Sequence, residues 1–101
     1  MNARNSRRKD YLNVVKRVKS IVRSIDPKAE VYVFGSFVRG EATAMSDIDV
    51  LVVTEMIESK YEMMVKVYKA LEEPLELHVV TEQMLKKWYK RFIPAEELVK
   101  V

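Results

Sequence analysis

The sequence predicts an α/β domain whose elements follow the order α, β, short α, β, α, β, α. Apolar residues spaced three and four apart predict long helices at 7–25 and 57–72. Runs rich in β-branched and aromatic residues predict three strands between the helices. Proline and glycine stand at most of the boundaries. This alternation predicts a small mixed sheet of at least three strands with helices packed against it.

The first predicted element is an amphipathic helix. Residues 1–6 are polar, and Asn5 or Ser6 is available as its N-cap. Pro27 stops the helix, because the residue before a proline is biased out of the helical region. The apolar stripe at 7–25 consists of Tyr11, Val14, Val15, Val18, Ile21, Val22 and Ile25.

Two strands and a short helix are predicted next. Residues 30–34 are β-branched or aromatic and form the first strand. A Gly-Ser turn then opens a short helix at 36–41, which is followed by a loop at 42–46. The second strand covers 47–53, and its continuous apolar half is typical of a strand buried on both faces.

The second half of the chain is predicted as helix, strand and helix. The helix at 57–72 has an apolar face made of Ile57, Tyr61, Met64, Val65, Tyr68 and Leu71. The alternation of residues 75–80 predicts the third strand. Thr81 caps a last helix at 82–91 whose stripe is Met84, Leu85, Trp88, Tyr89 and Phe92. The tail at 95–101 adds at most one turn.

Length and composition restrict the class of protein. With 101 residues, 49% of them hydrophobic, we expect one domain covering 1–101. No apolar run approaches the roughly 20 residues of a membrane span, so we expect a cytoplasmic protein. The chain has one histidine and no cysteine, which argues against disulfides and zinc. A net charge of +3 is too small by itself to indicate a nucleic-acid partner.

The Gly35-Ser36 turn is the first candidate site. A glycine at a strand end lets backbone N–H groups approach an anion, and the following helix N-terminus favours negative charge. The serine hydroxyl can donate to a phosphate oxygen. For an isolated Gly-Ser pair, however, an ordinary strand-to-helix turn explains the pattern equally well.

Asp47 and Asp49 are the second candidate. Residues two apart on a strand point to the same face, so these carboxylates would lie together beside an apolar run. Each like charge disfavours ionisation of the other, and a cation such as Mg²⁺ or Mn²⁺ removes this penalty. A pair of surface aspartates at a strand end is the alternative.

Glu76 is the third candidate, because it interrupts an otherwise apolar strand. If the third strand lies beside the second, Glu76 can complete a cluster with the two aspartates; otherwise it is an outward-facing edge residue. His78 shares its face. A lone histidine is more often structural than catalytic, so His78 is a minor candidate.

Together these residues resemble the DNA polymerase β-like nucleotidyltransferase superfamily, specifically its minimal nucleotidyltransferases. The family signature is Gly-Ser, ten intervening residues and Asp-x-Asp; here Gly35-Ser36 precedes Asp47-Ile48-Asp49 with ten residues between. Arg39 and Gly40 match the family's usual Gly-Ser-x-x-Arg-Gly, and Ser46 begins a family-like Ser-Asp-Ile-Asp. The strand and helix order matches across most of the chain.

The resemblance implies a nucleotidyltransferase of the EC 2.7.7 type. ATP or another nucleoside triphosphate would bind at Gly35, Ser36, Arg39 and Ser46. Asp47, Asp49 and Glu76 would be the catalytic residues and would hold two Mg²⁺ (or Mn²⁺) ions. The third carboxylate of the family is commonly an aspartate, so the longer Glu76 makes its role as base less secure.

The resemblance also implies a biological setting. Minimal members often pair with a helical toxin protein and serve as its antitoxin, some by transferring AMP from ATP to a tyrosine of the partner. We therefore expect transfer of a nucleoside monophosphate to a hydroxyl on such a partner. A non-catalytic antitoxin module and an enzyme acting on RNA or DNA through the basic N-terminal helix are the alternatives. A homo-oligomer stays open.

Overall fold

The predicted order of helices and strands is confirmed by a computed structural model, which describes the backbone of residues 3–101 and the side chains of residues 11–101. The α-helices and strands are α1 (Ala3–Ile25), β1 (Glu30–Phe34), α2 (Ser36–Arg39), β2 (Ile48–Val53), α3 (Lys60–Ala70), β3 (Leu75–Val80), α4 (Glu82–Met84), α5 (Lys90–Phe92) and β4 (Val99–Lys100). Single turns of 3₁₀-helix cover Ile57–Ser59 and Ala95–Glu97, and a π-helical turn covers Leu85–Tyr89.

The strands form one mixed sheet in the order β3-β2-β1-β4. β1 is antiparallel to both of its neighbours, whereas β2 and β3 are parallel. The parallel pair follows from the chain between them, since a parallel connection requires a crossover, supplied here by α3. The third strand therefore lies beside the second, as the cluster around Glu76 requires.

The helical layer covers one face of the sheet. The core residues of α1 and α3 are Val14, Val15, Val18, Val22, Met63 and Val67, and they pack on Val31, Val33, Ile48, Val50, Val52, Leu75, Leu77 and Val79. The opposite face has a smaller core made of Leu51, Val53, Val80 and Leu85, with Tyr32, Phe34, Tyr89 and Leu98 packed against it. Because β2 contributes to both cores, its sequence from Val50 to Val53 is apolar without interruption.

The ends of α1 and of the chain differ from the predictions. The helix begins at Ala3, so Asn5 and Ser6 lie within it and neither is its N-cap. The side chains of residues 1–10, including the N-terminal basic cluster, lie outside the described residues. At the other end, the tail at 95–101 supplies β4, which pairs with β1, and the Val101 N–H donates to the Val31 carbonyl at 2.9 Å.

The predicted apolar faces of the last two helical segments are partly wrong. In α3 the buried residues are Met63 and Val67, whereas Tyr61 is 78% exposed. Near the C-terminus Leu85 is buried and Phe92 is 78% exposed. Apolar residues occur on more than one face of each segment, so spacing alone does not determine which face packs on the sheet. The packed face is instead determined by where the sheet lies relative to the helix.

Tyr68 lies on the exposed side of α3 but contacts the sheet. Its hydroxyl accepts a hydrogen bond from the Leu77 N–H at 3.0 Å. Since β3 is an edge strand, this N–H has no neighbouring strand on its outer side. The tyrosine therefore satisfies a backbone donor at the edge of the sheet.

A buried polar pair joins the end of α1 to the end of β2. The Thr54 hydroxyl donates to Asp26 Oδ2 at 2.5 Å, and the Lys28 N–H donates to Asp26 Oδ1 at 2.9 Å. Both Asp26 and Thr54 are buried. The hydrogen bond from Thr54, followed by that from Lys28, lowers the pKa of Asp26 below its usual range.

In the part of the chain that the structure describes, every helix is too short or too polar to cross a membrane.

We expect Asp26→Ala to lower the free energy of unfolding by about 1–3 kcal/mol, because it leaves two buried donors without an acceptor. The contribution of Asp26 is present at neutral pH and is lost as the pH falls through its lowered folded-state pKa. Urea unfolding of wild type and Asp26→Ala across the acid range measures both effects. Equal stability of the two proteins at neutral pH, with equal acid sensitivity, would contradict this assignment.

Candidate active site

The Gly35 turn lies against β2. Gly35 has φ 85° and precedes α2, which begins at Ser36, and its carbonyl accepts from the N–H groups of Val38 and Arg39, each at 3.1 Å. A Cβ at Gly35 would overlap Oδ2 of Asp49. Glycine is therefore required here for both its backbone conformation and the close approach of Asp49. The Gly35 turn and the Asp49 carboxylate are therefore in direct contact.

Asp49 and Glu76 are direct neighbours across the parallel pair of strands. The register places Asp49 beside Glu76 and Leu51 beside His78. Asp49 is half-buried and Glu76 is exposed. The prediction that Glu76 lies close to Asp49 is therefore confirmed, and the site occupies the sheet face opposite α1 and α3.

His78 joins the two carboxylates. Asp49, Glu76 and His78 each offer one ligand atom, and these atoms all lie within 4.8 Å of one another. The Nε2 of His78 is 3.7 Å from Oε1 of Glu76, and its Nδ1 is 3.4 Å from the hydroxyl of Tyr89. The minor candidate of the sequence is thus a member of the cluster, which we call the Asp49 cluster.

The electrostatics of the Asp49 cluster favour a cation. Burial, and then the negative charge of Glu76, raise the pKa of Asp49 above its usual range. Asp47 raises it further, whereas His78 and Arg39 act in the opposite direction. A half-buried carboxylate beside like charges is costly to ionise, and a divalent ion removes that cost.

Asp47 lies one residue before the strand that was predicted to begin with it. It precedes β2, which begins at Ile48, and it is exposed. Its carboxylate influences the pKa of Asp49 but does not belong to the group whose ligand atoms all lie within 4.8 Å of one another. The predicted pairing of Asp47 with Asp49 at a metal stays a prediction.

The remaining predicted residues lie around the turn. Arg39 is held by two carboxylates: its Nε donates to Glu41 Oε2 at 3.0 Å, and its Nη1 is 3.7 Å from Glu97 Oε2. Ser36 is half-buried at the start of α2. The Ser46 hydroxyl accepts from the Thr43 N–H at 2.9 Å and so stabilises the loop.

Ser46 also lines a cavity of about 210 Å³ on the helical side of the sheet, together with Tyr11 and Val14 of α1. Gly35, Ser36, Asp49 and Glu76 are absent from the lining of that cavity. The predicted role of Ser46 toward a nucleotide stays a prediction.

Two residues contact the site although the sequence did not predict them to be near it. Tyr89 contacts His78 from the π-helical turn, and Glu97 contacts Arg39 from the C-terminal 3₁₀ turn. Tyr89 was predicted as part of an apolar stripe, and Glu97 as part of the tail. Nothing in their local sequence indicates these contacts, because both arise from the return of the C-terminal segment to the sheet.

The donor set fits a divalent metal. Asp49 and Glu76 supply carboxylate oxygens, which suit Mg²⁺ and Mn²⁺, and Asp47 lies close enough to act on Asp49 electrostatically. The adjacent Gly35-Ser36 turn leads into the N-terminus of α2, and the space beside the Gly35 Cα is taken by the Asp49 carboxylate. The arrangement joins a candidate cation site to a candidate phosphate site.

Comparisons with known proteins agree with this geometry. A model of the nucleotidyltransferase domain matches residues 15–101. A crystal structure of a provisionally assigned nucleotidyltransferase is 32% identical, with a TM-score of 0.69, and covers 85% of this chain and 95% of that chain. A second crystal structure is of a provisionally assigned nucleotidyltransferase from Sulfolobus solfataricus. Its sequence is 25% identical and its TM-score is 0.71, and the match covers 99% of this chain and 86% of that chain. A search of curated proteins found no match.

The fold and these similarities define an enzyme of the nucleotidyl-transferring class, which takes a nucleoside triphosphate as substrate. The chain belongs to the nucleotidyltransferase domain family. The resemblance noted from Gly35-Ser36 and Asp47-Ile48-Asp49 is therefore confirmed, as is the mixed sheet with its packed helices.

We expect Gly35→Ala to abolish the geometry of the site, because the new methyl group would displace the Asp49 carboxylate and the backbone conformation would be strained. Divalent-metal affinity, measured by calorimetry, should fall by at least about tenfold. Gly40→Ala is the matched control, since Gly40 also has a positive φ, 74°, but the contact with Asp49 belongs to Gly35. Equal metal affinity in the two variants would contradict the requirement for glycine at position 35.

Proposed function

We propose that this protein transfers a nucleoside monophosphate, most simply AMP from ATP, to a hydroxyl group on a partner protein. The observation that carries the proposal is the contact between the Gly35 turn and Asp49, because it joins the phosphate-binding element to the carboxylates. Asp49 is also paired with Glu76 across the two strands. The turn that would hold a triphosphate and the carboxylate that would hold an acceptor therefore both lie next to Asp49.

The Gly35-Ser36 turn would bind the phosphates. The N-terminus of α2 presents backbone N–H groups and the Ser36 hydroxyl, which donate to phosphate oxygens. Arg39 lies at the other end of α2 and would add a positive charge. In the structure its guanidinium is paired with Glu41 and Glu97, so binding a triphosphate would exchange these carboxylates for phosphate oxygens.

Asp47, Asp49 and Glu76 would hold the metal, with two Mg²⁺ or Mn²⁺ ions as the family resemblance implies. When bound, these ions neutralise phosphate charge and lower the pKa of the attacking hydroxyl. Asp49 is half-buried and lies within β2, so it would bind the metal both with and without nucleotide. The exposed Asp47 would join it when the nucleotide is present.

Glu76 would orient the acceptor. Its carboxylate lies beside Asp49 but is more exposed, so an incoming hydroxyl can reach it from solvent. There it would accept the proton of the hydroxyl that attacks the α-phosphorus, while pyrophosphate leaves. Positioning and electrostatic stabilisation provide most of the rate in such transfers.

A partner protein would supply the acceptor. Large apolar side chains remain exposed on two elements: Tyr61, Val65 and Tyr68 on α3, and Trp88 and Phe92 near the C-terminus. The three residues of α3 are spaced for one face of a helix, which is the kind of surface that packs against another helix. The exposed apolar face of α3 supports a helical toxin as the partner, with the nucleotidyltransferase acting as its antitoxin.

Asp49→Asn should reduce label transfer from α-labelled ATP to the copurifying partner by at least about 100-fold, because the loss of several kcal/mol of charge stabilisation has that effect on a rate. Phosphorimaging of the partner after incubation with Mg²⁺ or Mn²⁺ gives the measurement. Glu62→Gln is the matched control, since Glu62 is an exposed carboxylate of α3 paired with Lys66. Neutralisation of the partner that survives both Asp47→Ala and Asp49→Ala would favour the non-catalytic antitoxin module instead.

Arg39→Ala should raise the KM for the nucleotide by about tenfold, as expected for the loss of one charge-assisted hydrogen bond. The kcat should change less, because Arg39 would contact the triphosphate away from the reacting atoms. Steady-state kinetics over a range of ATP concentrations separates the two constants. An unchanged KM would place Arg39 outside the nucleotide site and leave it with its two carboxylates.

A further inference from the structure

His78 is more than a neighbour of the two carboxylates, because two aromatic residues hold its ring. Phe34 packs on it with ring centroids 5.6 Å apart, and Tyr89 contacts it edge-on with centroids 5.8 Å apart. The Tyr89 hydroxyl lies 3.4 Å from Nδ1. These contacts fix both the plane of the imidazole and the direction of its two nitrogens.

One of the two neutral tautomers of His78 suits a metal ligand. When Nδ1–H donates to the Tyr89 hydroxyl, Nε2 is left unprotonated and its lone pair faces the carboxylates. A histidine that binds a metal usually has this arrangement, with the distal nitrogen on the ion and the other nitrogen donating to an outer partner. Tyr89 is that outer partner here.

The distance between His78 and Glu76 is too long for a direct hydrogen bond and short enough for one ion to bind both side chains after a small movement. A charge-assisted hydrogen bond between them would be about 2.7–2.9 Å long, whereas Nε2 and Oε1 are 3.7 Å apart. Adjacent ligands each about 2.1 Å from one octahedral ion lie about 3.0 Å apart. Binding one ion would therefore draw the two side chains together by less than about 1 Å.

We propose that His78 is a nitrogen ligand of the metal held by Asp49 and Glu76, and that it makes the site prefer Mn²⁺ to Mg²⁺. Imidazole binds first-row transition metals well, whereas Mg²⁺ prefers oxygen ligands. The inference rests on the proposed function, since it concerns the metal of the same site. It adds a ligand and a metal preference to a set that otherwise consists of carboxylates.

Pulsed electron paramagnetic resonance of Mn²⁺ bound to the untagged chain, without nucleotide, tests the ligand directly. Wild type should show a nitrogen hyperfine coupling, and His78→Gln should lose it. The chain has a single histidine, so any imidazole signal belongs to His78. Bound Mn²⁺ without a nitrogen coupling in wild type, or no Mn²⁺ binding at millimolar concentration, would overturn the proposal.

Calorimetry tests the preference for Mn²⁺. His78→Gln should weaken Mn²⁺ binding by about 10–100-fold while changing Mg²⁺ binding by less than about threefold. Tyr89→Phe should keep the nitrogen coupling but weaken Mn²⁺ binding, because it removes the partner of Nδ1. Equal losses for Mn²⁺ and Mg²⁺ in His78→Gln would overturn the preference. Should His78→Gln fail to fold, the wild-type nitrogen coupling still decides the ligand assignment.

These readouts separate the inference from the proposed function. If Asp49→Asn abolishes transfer to the partner but wild type shows no nitrogen coupling, His78 is not a ligand and the enzymatic function stands. If wild type shows the coupling but transfers no nucleotide with either metal, the ligand assignment stands and the proposed function fails.

Discussion

The parallel pairing of β2 with β3 is the interaction on which the site depends. It places Asp49 beside Glu76 and brings His78 into the same cluster, although these residues are separated by a strand, a loop and a helix in the chain. The register is fixed by the alternation of β3, because a slip of one residue would turn its core side chains toward the wrong face. Core packing on one face therefore positions the polar groups on the other.

Gly35 imposes the second constraint. A residue without a side chain lets the turn approach Asp49 so closely that the candidate phosphate site and the candidate metal site share a boundary. The pKa of Asp49, raised by burial and by Glu76, shows that the protein accepts an electrostatic cost there. Such a cost in the folded protein is typical of sites that are completed by a ligand, whereas Asp26 shows the opposite arrangement, with its charge fully hydrogen-bonded inside the protein.

The sequence predicted the order of elements and the family, because periodicity and motif spacing are local properties. The adjacency of Glu76 and Asp49 was predicted only on the condition that the third strand lies beside the second, which the pairing of β2 with β3 now meets. It did not predict β4, the helix faces that pack on the sheet, or the place of Asp47 outside β2. Tyr89 and Glu97 could not have been found in this way, since their contacts with His78 and Arg39 depend on how the C-terminal segment returns to the sheet. The catalytic, nucleotide-binding and metal-binding roles of the site residues stay predictions.

The Tyr68 hydroxyl has a consequence for how this small sheet meets other molecules. β3 and β4 are the two edges of the sheet; β4 spans only Val99–Lys100, and Tyr68 occupies an outward N–H of β3. An edge strand is where another chain can add a strand of its own. A strand arriving at β3 would have to displace the Tyr68 hydroxyl from the Leu77 N–H, so a side chain of α3 opposes strand addition at this edge.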